Sequence, residues 1–209
     1  LARTLIYNGA TFKGQPVQSY VGGRNGRPLD GATPTSYYLR KHIVEATSFV
    51  TGSEMSYQHI FPFFRYAEVL LNYAEALAAA TQNPDFTGMK GEVEYTLSPR
   101  EALNAVRARY NMPGITETDY AAFVKRLRNE RRVELAFEGH RFWDIRRWKI
   151  GAETTKVYGL TITPQNDGSF SYMRSVIQQR GWEDRMNFYP IADAELFKNH
   201  NLVQNDGWK

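Results

Sequence analysis

The chain has 209 residues, 42% of them hydrophobic and 23% charged, with 26 Lys and Arg against 22 Asp and Glu. That length can bury a sizeable core, and a surplus of four positive charges threaded with acids is no nucleic-acid footprint. There is no cysteine, which excludes disulfides, thiolate catalysis and Cys-ligated zinc, and no apolar run long enough to cross a membrane as a helix.

Residues 8–36 are rich in Gly, Pro, Asn and Thr, with Gly22-Gly23-Arg24-Asn25-Gly26-Arg27-Pro28 at their centre. That is turn chemistry, and so long a loop is either a connector or ligand-facing. Tyr37–Lys41 opens a short ordered stretch. A helix is predicted over residues 64–80, carried by a stripe of Tyr66, Val69, Leu70, Tyr73, Ala74, Leu77 and Ala78, and stopped by Asn83-Pro84. A second helix opens at the capping box Ser98-Pro99-Arg100-Glu101, with Leu103, Val106 and Tyr110 inward, and ends by Met112-Pro113-Gly114. The two starts are spaced at about the tetratricopeptide period, enough for one helix-turn-helix unit but no demonstrated array. A third helix is capped by Asp119 and runs into the most charged part of the chain, where Gly139 permits a bend before a short helix through Trp148. Beyond Gly151, residues 157–162 and 170–176 are rich in β-branched and aromatic side chains around a turn cluster at 163–169, which predicts a hairpin. Asp193–Leu196 begins one more short helix. The whole is mainly α with irregular decoration.

The segment from Arg128 to Trp148 carries the most information. On a continuous helix, positions 127, 130, 131, 134, 138 and 141 share a face reading Leu, Glu, Arg, Glu, Glu, Arg, beside an apolar stripe of Val133 and Phe137. Charges this close to Phe137, Phe142, Trp143 and Trp148 are expected to be partly buried and mutually paired. Glu130, Glu134 and Glu138 invite comparison with a glycosidase pair, but they line up along one axis instead of facing across a cleft. Arg131, Arg132 and Arg141 stand close enough in sequence to keep them ionised. His140 with Asp144 is a weak metal pair, since His42, His59 and His200 are isolated and a site needs three or four convergent ligands. Arg146-Arg147-Trp148-Lys149 has the look of a single-strand-binding patch, yet cations at a helix C-terminus are also what the macrodipole favours. No nucleophile motif or phosphate-cradling loop is present, so the reading is of a non-enzyme without cofactor or metal.

The stretch Glu130–Trp148 resembles the signature of the SusD/RagB family, surface nutrient-binding lipoproteins of Bacteroidetes, with Ile145 where Leu is usual. Phe64–Ala76 resembles the same family's R-Y-A-E helix, and Tyr189–Trp208 resembles its C-terminal ending, with departures at Ala192, His200, Asp206 and Trp208. The resemblance implies a tetratricopeptide-like helical scaffold with long irregular loops and a small β-hairpin. It also implies that residues 1–209 form a C-terminal SusD/RagB-like domain: a loop-rich opening at 1–36, a helical scaffold at 37–150 and an irregular, hairpin-bearing end at 151–209. Members of the family are usually longer and carry a signal peptide and an acylated N-terminal Cys, so the chain reads as the C-terminal portion of such a protein.

By the same resemblance the expected activity is non-catalytic capture of an oligosaccharide or polysaccharide at the outer membrane. The cargo passes to a SusC-like TonB-dependent transporter, and the membrane is met only through the lipid anchor. A sugar platform needs Trp or Tyr faces with polar groups alongside. Tyr20 with Arg24 and Asn25, and Trp182 near Glu183 and Asp184, are the candidates. The rival reading is a helical-repeat scaffold that binds a peptide or protein partner, because Trp, Tyr and Arg also make interface hot spots.

Overall fold

The computed structural model describes residues 1–208 and falls into two compact units. One is assembled from two separated segments, Leu1–Phe61 and Phe142–Lys209; the other is the stretch between them, Pro62–Arg141.

In the opening segment four two-residue strands organise the predicted loop: β1 (Leu5–Ile6), β2 (Thr11–Phe12), β3 (Gln15–Pro16) and β4 (Tyr38–Leu39). β2 and β3 close a tight hairpin over Lys13-Gly14, and β1 pairs antiparallel with β4, Ile6 opposite Tyr38. Ile6, Ala10 and Val17 are buried beneath Tyr7, Phe12 and Tyr38. The excursion from 18 to 27 is held by backbone polar groups: Asn25 Oδ1 accepts from the Gln18 amide at 3.1 Å, and the Asn25 amide donates to the Gln18 carbonyl at 3.0 Å. Gly26 is required there, because a Cβ would stand 1.9 Å from the Tyr20 carbonyl oxygen.

The second unit is helical. α1 (Tyr66–Thr81) is followed by a short hairpin of β5 (Gly88–Lys90) and β6 (Val93–Tyr95), then α2 (Pro99–Ala108) and α3 (Tyr120–Glu134). α1 packs on both α2 and α3. The face it buries differs from the predicted stripe: Ala67, Leu70, Leu71, Ala74, Leu77 and Ala78 are buried, while Tyr66 and Val69 are 72% and 49% exposed. The buried side is the one rich in alanine, where small side chains let two neighbouring helices approach closely, and the larger Tyr66 and Val69 rotate outward. α2 starts as predicted, with the Ser98 side chain accepting from the Glu101 amide at 3.2 Å and Glu101 Oε2 accepting from the Ser98 amide at 2.8 Å. It ends earlier, at Ala108, and leaves Tyr110 exposed. Asp119 caps α3 by accepting from the Ala122 amide at 2.7 Å. Phe123 and Leu127 on α3 are fully buried, each worth roughly 1.5–3 kcal/mol of transfer free energy.

α3 does not run through the charged segment. It stops at Glu134, Phe137 and Gly139 take positive φ of 64° and 83°, and α4 (His140–Arg147) begins as a separate helix. Glu138 and Arg141 therefore leave the face they would share with Glu130 and Glu134 on a continuous helix, and Val133 and Phe137 are exposed instead of forming an apolar stripe. From Phe142 onward α4 belongs to the first unit.

After a 3₁₀ turn at Gly151–Thr154 come β7 (Lys156–Pro164) and β8 (Phe170–Gln179), the predicted hairpin, longer at both ends than its apolar runs. One edge of β7 is covered by the opening segment: the Val21 amide donates to the Ile162 carbonyl, the Leu160 amide to the Thr35 carbonyl and the Ser36 hydroxyl to the Leu160 carbonyl. α5 (Asp193–Lys198) is a short helix. Gln204 then clasps Ile191 through both its amide and its carbonyl at 2.7 and 2.9 Å, and the Trp208 indole donates to the carbonyls of Arg185 and Phe188.

Candidate functional site

The acids of the signature segment are internal to the fold. Arg65, the residue that precedes α1, binds Glu138 through Nε at 2.8 Å and Nη2 at 2.8 Å, Glu134 Oε1 through Nη1 at 2.5 Å, and the Glu134 carbonyl through Nη2 at 2.7 Å. The Glu138 side chain is only 2% exposed and that of Glu134 11%. Burial weighs against the Arg65 charge, but the hydrogen bonds it donates to Glu138 and Glu134 outweigh it and hold the guanidinium protonated more firmly than usual. Glu130 pairs with Arg107 of α2, and buried Arg131 donates to the Asn72 side chain at 2.6 Å. In the first unit, Arg147 Nε lies 2.8 Å from the buried carboxylate of Asp144. His140 Nε2 lies 3.4 Å from Glu68. Among the described residues no cluster of His, Cys, Asp or Glu is arranged to hold a metal ion. The carboxylates are structural ions and do not flank a cleft. Arg65, the centre of this network, was not singled out in the sequence because its partners lie far along the chain.

A hollow among the described residues lies in the first unit, on one face of the long hairpin. Side chains directly opposite across antiparallel strands share a face. The cross-strand pairs Pro164–Phe170, Ile162–Tyr172, Leu160–Arg174 and Tyr158–Val176 therefore form one surface. Ile162, Leu160 and Tyr172 line a hollow of about 120 Å³, completed by Leu1, Tyr7, Asn8 and Tyr37. Three tyrosines thus converge on a small depression. Asn8 is held in place by accepting from the Ser19 amide at 3.1 Å. On one side of the hollow, Tyr20 packs on Phe170 with ring centroids 5.1 Å apart. On the other, the Arg174 guanidinium lies over the Tyr158 ring at 3.8 Å. The result is a row of aromatic faces along the hairpin, with a depression in the middle.

Of the residues predicted to bind sugar, Tyr20 stands in this row, next to Phe170. Arg24 and Asn25 share its loop, where Arg24 is exposed and donates to the Pro16 carbonyl at 2.5 Å and the Asn25 side chain shapes the turn. Trp182 is elsewhere in the unit. Its indole lies flat against Gly151, so closely that a Cβ on Gly151 would stand 1.8 Å from the ring, and the Arg146 guanidinium is 5.3 Å from its centroid. Glu183 beside it pairs with Arg185 at 2.9 Å. Tyr7, Tyr37 and Tyr172 escaped the sequence reading. Their one local signal is the alternation Phe170, Tyr172, Arg174 against Ser171, Met173, Ser175, which places two rings and a guanidinium on one side of a strand.

Comparison with known proteins gives this architecture its family. The SusD family model matches residues 1–208. The chain belongs to the SusD family. It is 33% identical over 146 residues to SusD-like protein P2 of Formosa agariphila, a match that covers 68% of this chain and 24% of that protein. A SusD-like protein from Bacteroides fragilis superposes with a TM-score of 0.77 at 28% identity, covering 99% of this chain and 38% of the other. A SusD-like carbohydrate binding protein of the same organism gives a TM-score of 0.65 at 30% identity, covering 96% of this chain and 40% of its own. The chain thus spans about a quarter to two fifths of the length of these SusD relatives.

Proposed function

We propose that this SusD-family chain captures oligosaccharide or polysaccharide without cleaving it, at the tyrosine-lined hollow of the β7–β8 hairpin face. The observation that carries the reading is the convergence of Tyr7, Tyr37 and Tyr172 on one depression, with further rings to either side. Flat aromatic faces accept the apolar sides of sugar rings, and the carbohydrate-binding neighbour supports the same ligand class. In this reading the helical unit is a tetratricopeptide-like scaffold. The whole protein sits at the outer membrane on a lipid anchor and passes its cargo to a SusC-like TonB-dependent transporter.

The test is calorimetric titration of the purified chain with a panel of oligosaccharides, repeated on Tyr172→Ala and Tyr37→Ala. Binding weakened by roughly tenfold or more in each variant supports the reading, since one stacked ring contributes on the order of 1–2 kcal/mol. Binding unaffected by either variant refutes the site. Failure of every glycan, together with tight binding of a peptide, favours a protein-interaction scaffold, for which the exposed Phe63, Phe64, Tyr66 and Val69 of the helical unit would be the surface. Co-purification of the full-length protein with a transporter barrel from outer membranes tests the delivery step.

A further inference from the structure

We infer that the ligand of the hairpin face is an acidic glycan, one that carries carboxylate or sulfate groups; this rests on the glycan reading above and narrows it. The first observation is placement. Arg174 stands directly opposite Leu160 and two residues along β8 from Tyr172, both of which line the hollow, so its guanidinium rises at the rim about 7 Å from the Tyr172 position.

The second observation is its state. Arg40, Arg65, Arg100, Arg107, Arg126, Arg147 and Arg185 each have a carboxylate within ion-pair distance. Among the described residues Arg174 has none, and its contact is the face of Tyr158 at 3.8 Å. A guanidinium held over a ring still has N–H groups to donate, to a planar carboxylate or to two oxygens of a sulfate.

The third observation is the distribution of charge. Residues 1–41 and 151–180, which build the hollow and its hairpin, carry nine Lys and Arg against three Asp and Glu. The whole chain has 26 against 22, so the remainder is slightly acidic and the positive surplus lies in these two segments, where Arg40 is paired with an acid just beyond them, Glu45. One of the three acids, Asp167, is committed to the hairpin tip, where it accepts from the Ser169 amide and hydroxyl at 2.9 and 2.7 Å. A neutral sugar needs no such field; an acidic one is drawn by it and oriented at the rim.

The experiment compares three probes of matched length by calorimetry on the full chain: an oligogalacturonate, a sulfated galacto-oligosaccharide and a neutral gluco-oligosaccharide. The expected result is at least a tenfold preference for one of the two anionic probes, and which one binds separates carboxylate from sulfate recognition. Arg174→Gln should remove most of that preference and Arg174→Lys should retain part of it, while Tyr172→Ala weakens binding of the preferred probe in spite of the unchanged charge. The inference is overturned if the neutral probe binds as tightly as the anionic ones and Arg174→Gln leaves it untouched, a result that keeps the glycan reading intact. It is equally overturned if anionic probes bind without regard to Tyr172, which marks diffuse electrostatic attraction. No binding of any of the three defeats the glycan reading itself.

Discussion

Replacing Arg65 by Met tests the ion network at its centre. The substitution keeps the aliphatic bulk and removes five hydrogen bonds, four from side chain to carboxylate and one to the Glu134 carbonyl. What remains are two carboxylates, one of them with a side chain 2% exposed and the other 11%. Removing one member of a buried ion pair costs about 3–5 kcal/mol, and in a chain of this size each kcal/mol lowers the melting temperature by roughly 2–4 °C. The helical unit should therefore melt about 10 °C lower, followed by circular dichroism of its helices. Glu134→Ala should destabilise by about 3 kcal/mol through the converse defect, a guanidinium deprived of one arm. Adding Glu138→Gln to the Arg65→Met background should restore part of the loss, because it removes the deeper of the two carboxylates that lost the Arg65 fork. A melt of Arg65→Met within about 2 °C of the parent would refute the reasoning, since it would mean the carboxylates reach water or other cations at no cost.

Glu101 is held below the usual carboxylate range, first by the Ser98 backbone amide and then by the Ser98 hydroxyl. Its folded value lies below its unfolded one, so its contribution to stability is complete above about pH 4.5 and is lost as pH falls through the lower folded value. Urea denaturation of the parent and Glu101→Gln at a series of pH values should show a stability gap at neutrality that closes in acid; a gap independent of pH would refute the capping role. Gly151→Ala must displace the Trp182 ring that lies on it, and overpacking of this kind costs roughly 1–3 kcal/mol with a shift in tryptophan emission. Gly139→Ala forces an L side chain into φ of 83° and should cost about 1 kcal/mol by thermal melt, although nothing crowds the added methyl.

Features set by neighbours in sequence were legible before the fold was known. The capping box at Ser98, the cap at Asp119, the bend at Gly139 and the turn cluster of the long hairpin each depend on residues within a few positions of one another. The inward face of α1 was misjudged at Tyr66 and Val69, because an apolar helix with six alanines offers two overlapping stripes and the choice is made by α2 and α3. Glu134 and Glu138 were correctly expected to be paired, but their fork arrives from 69 and 73 positions away, beyond any helical periodicity. The hollow was invisible for the same reason: Tyr7 and Tyr37 meet Tyr172 only through the pairing of the opening segment with β7.

The division of the chain has a consequence for its synthesis. Residues 62–141 hold all the partners of their own core, so the helices can consolidate as soon as that stretch has left the ribosome. The other unit must wait: its early strands pair among themselves, but Val21, Thr35 and Ser36 have no β7 to bind until that strand emerges, and closing so long a loop is entropically slow. A nascent chain halted between the two events would possess its scaffold but not its grip, and its unmatched tyrosines would be the natural target for a chaperone.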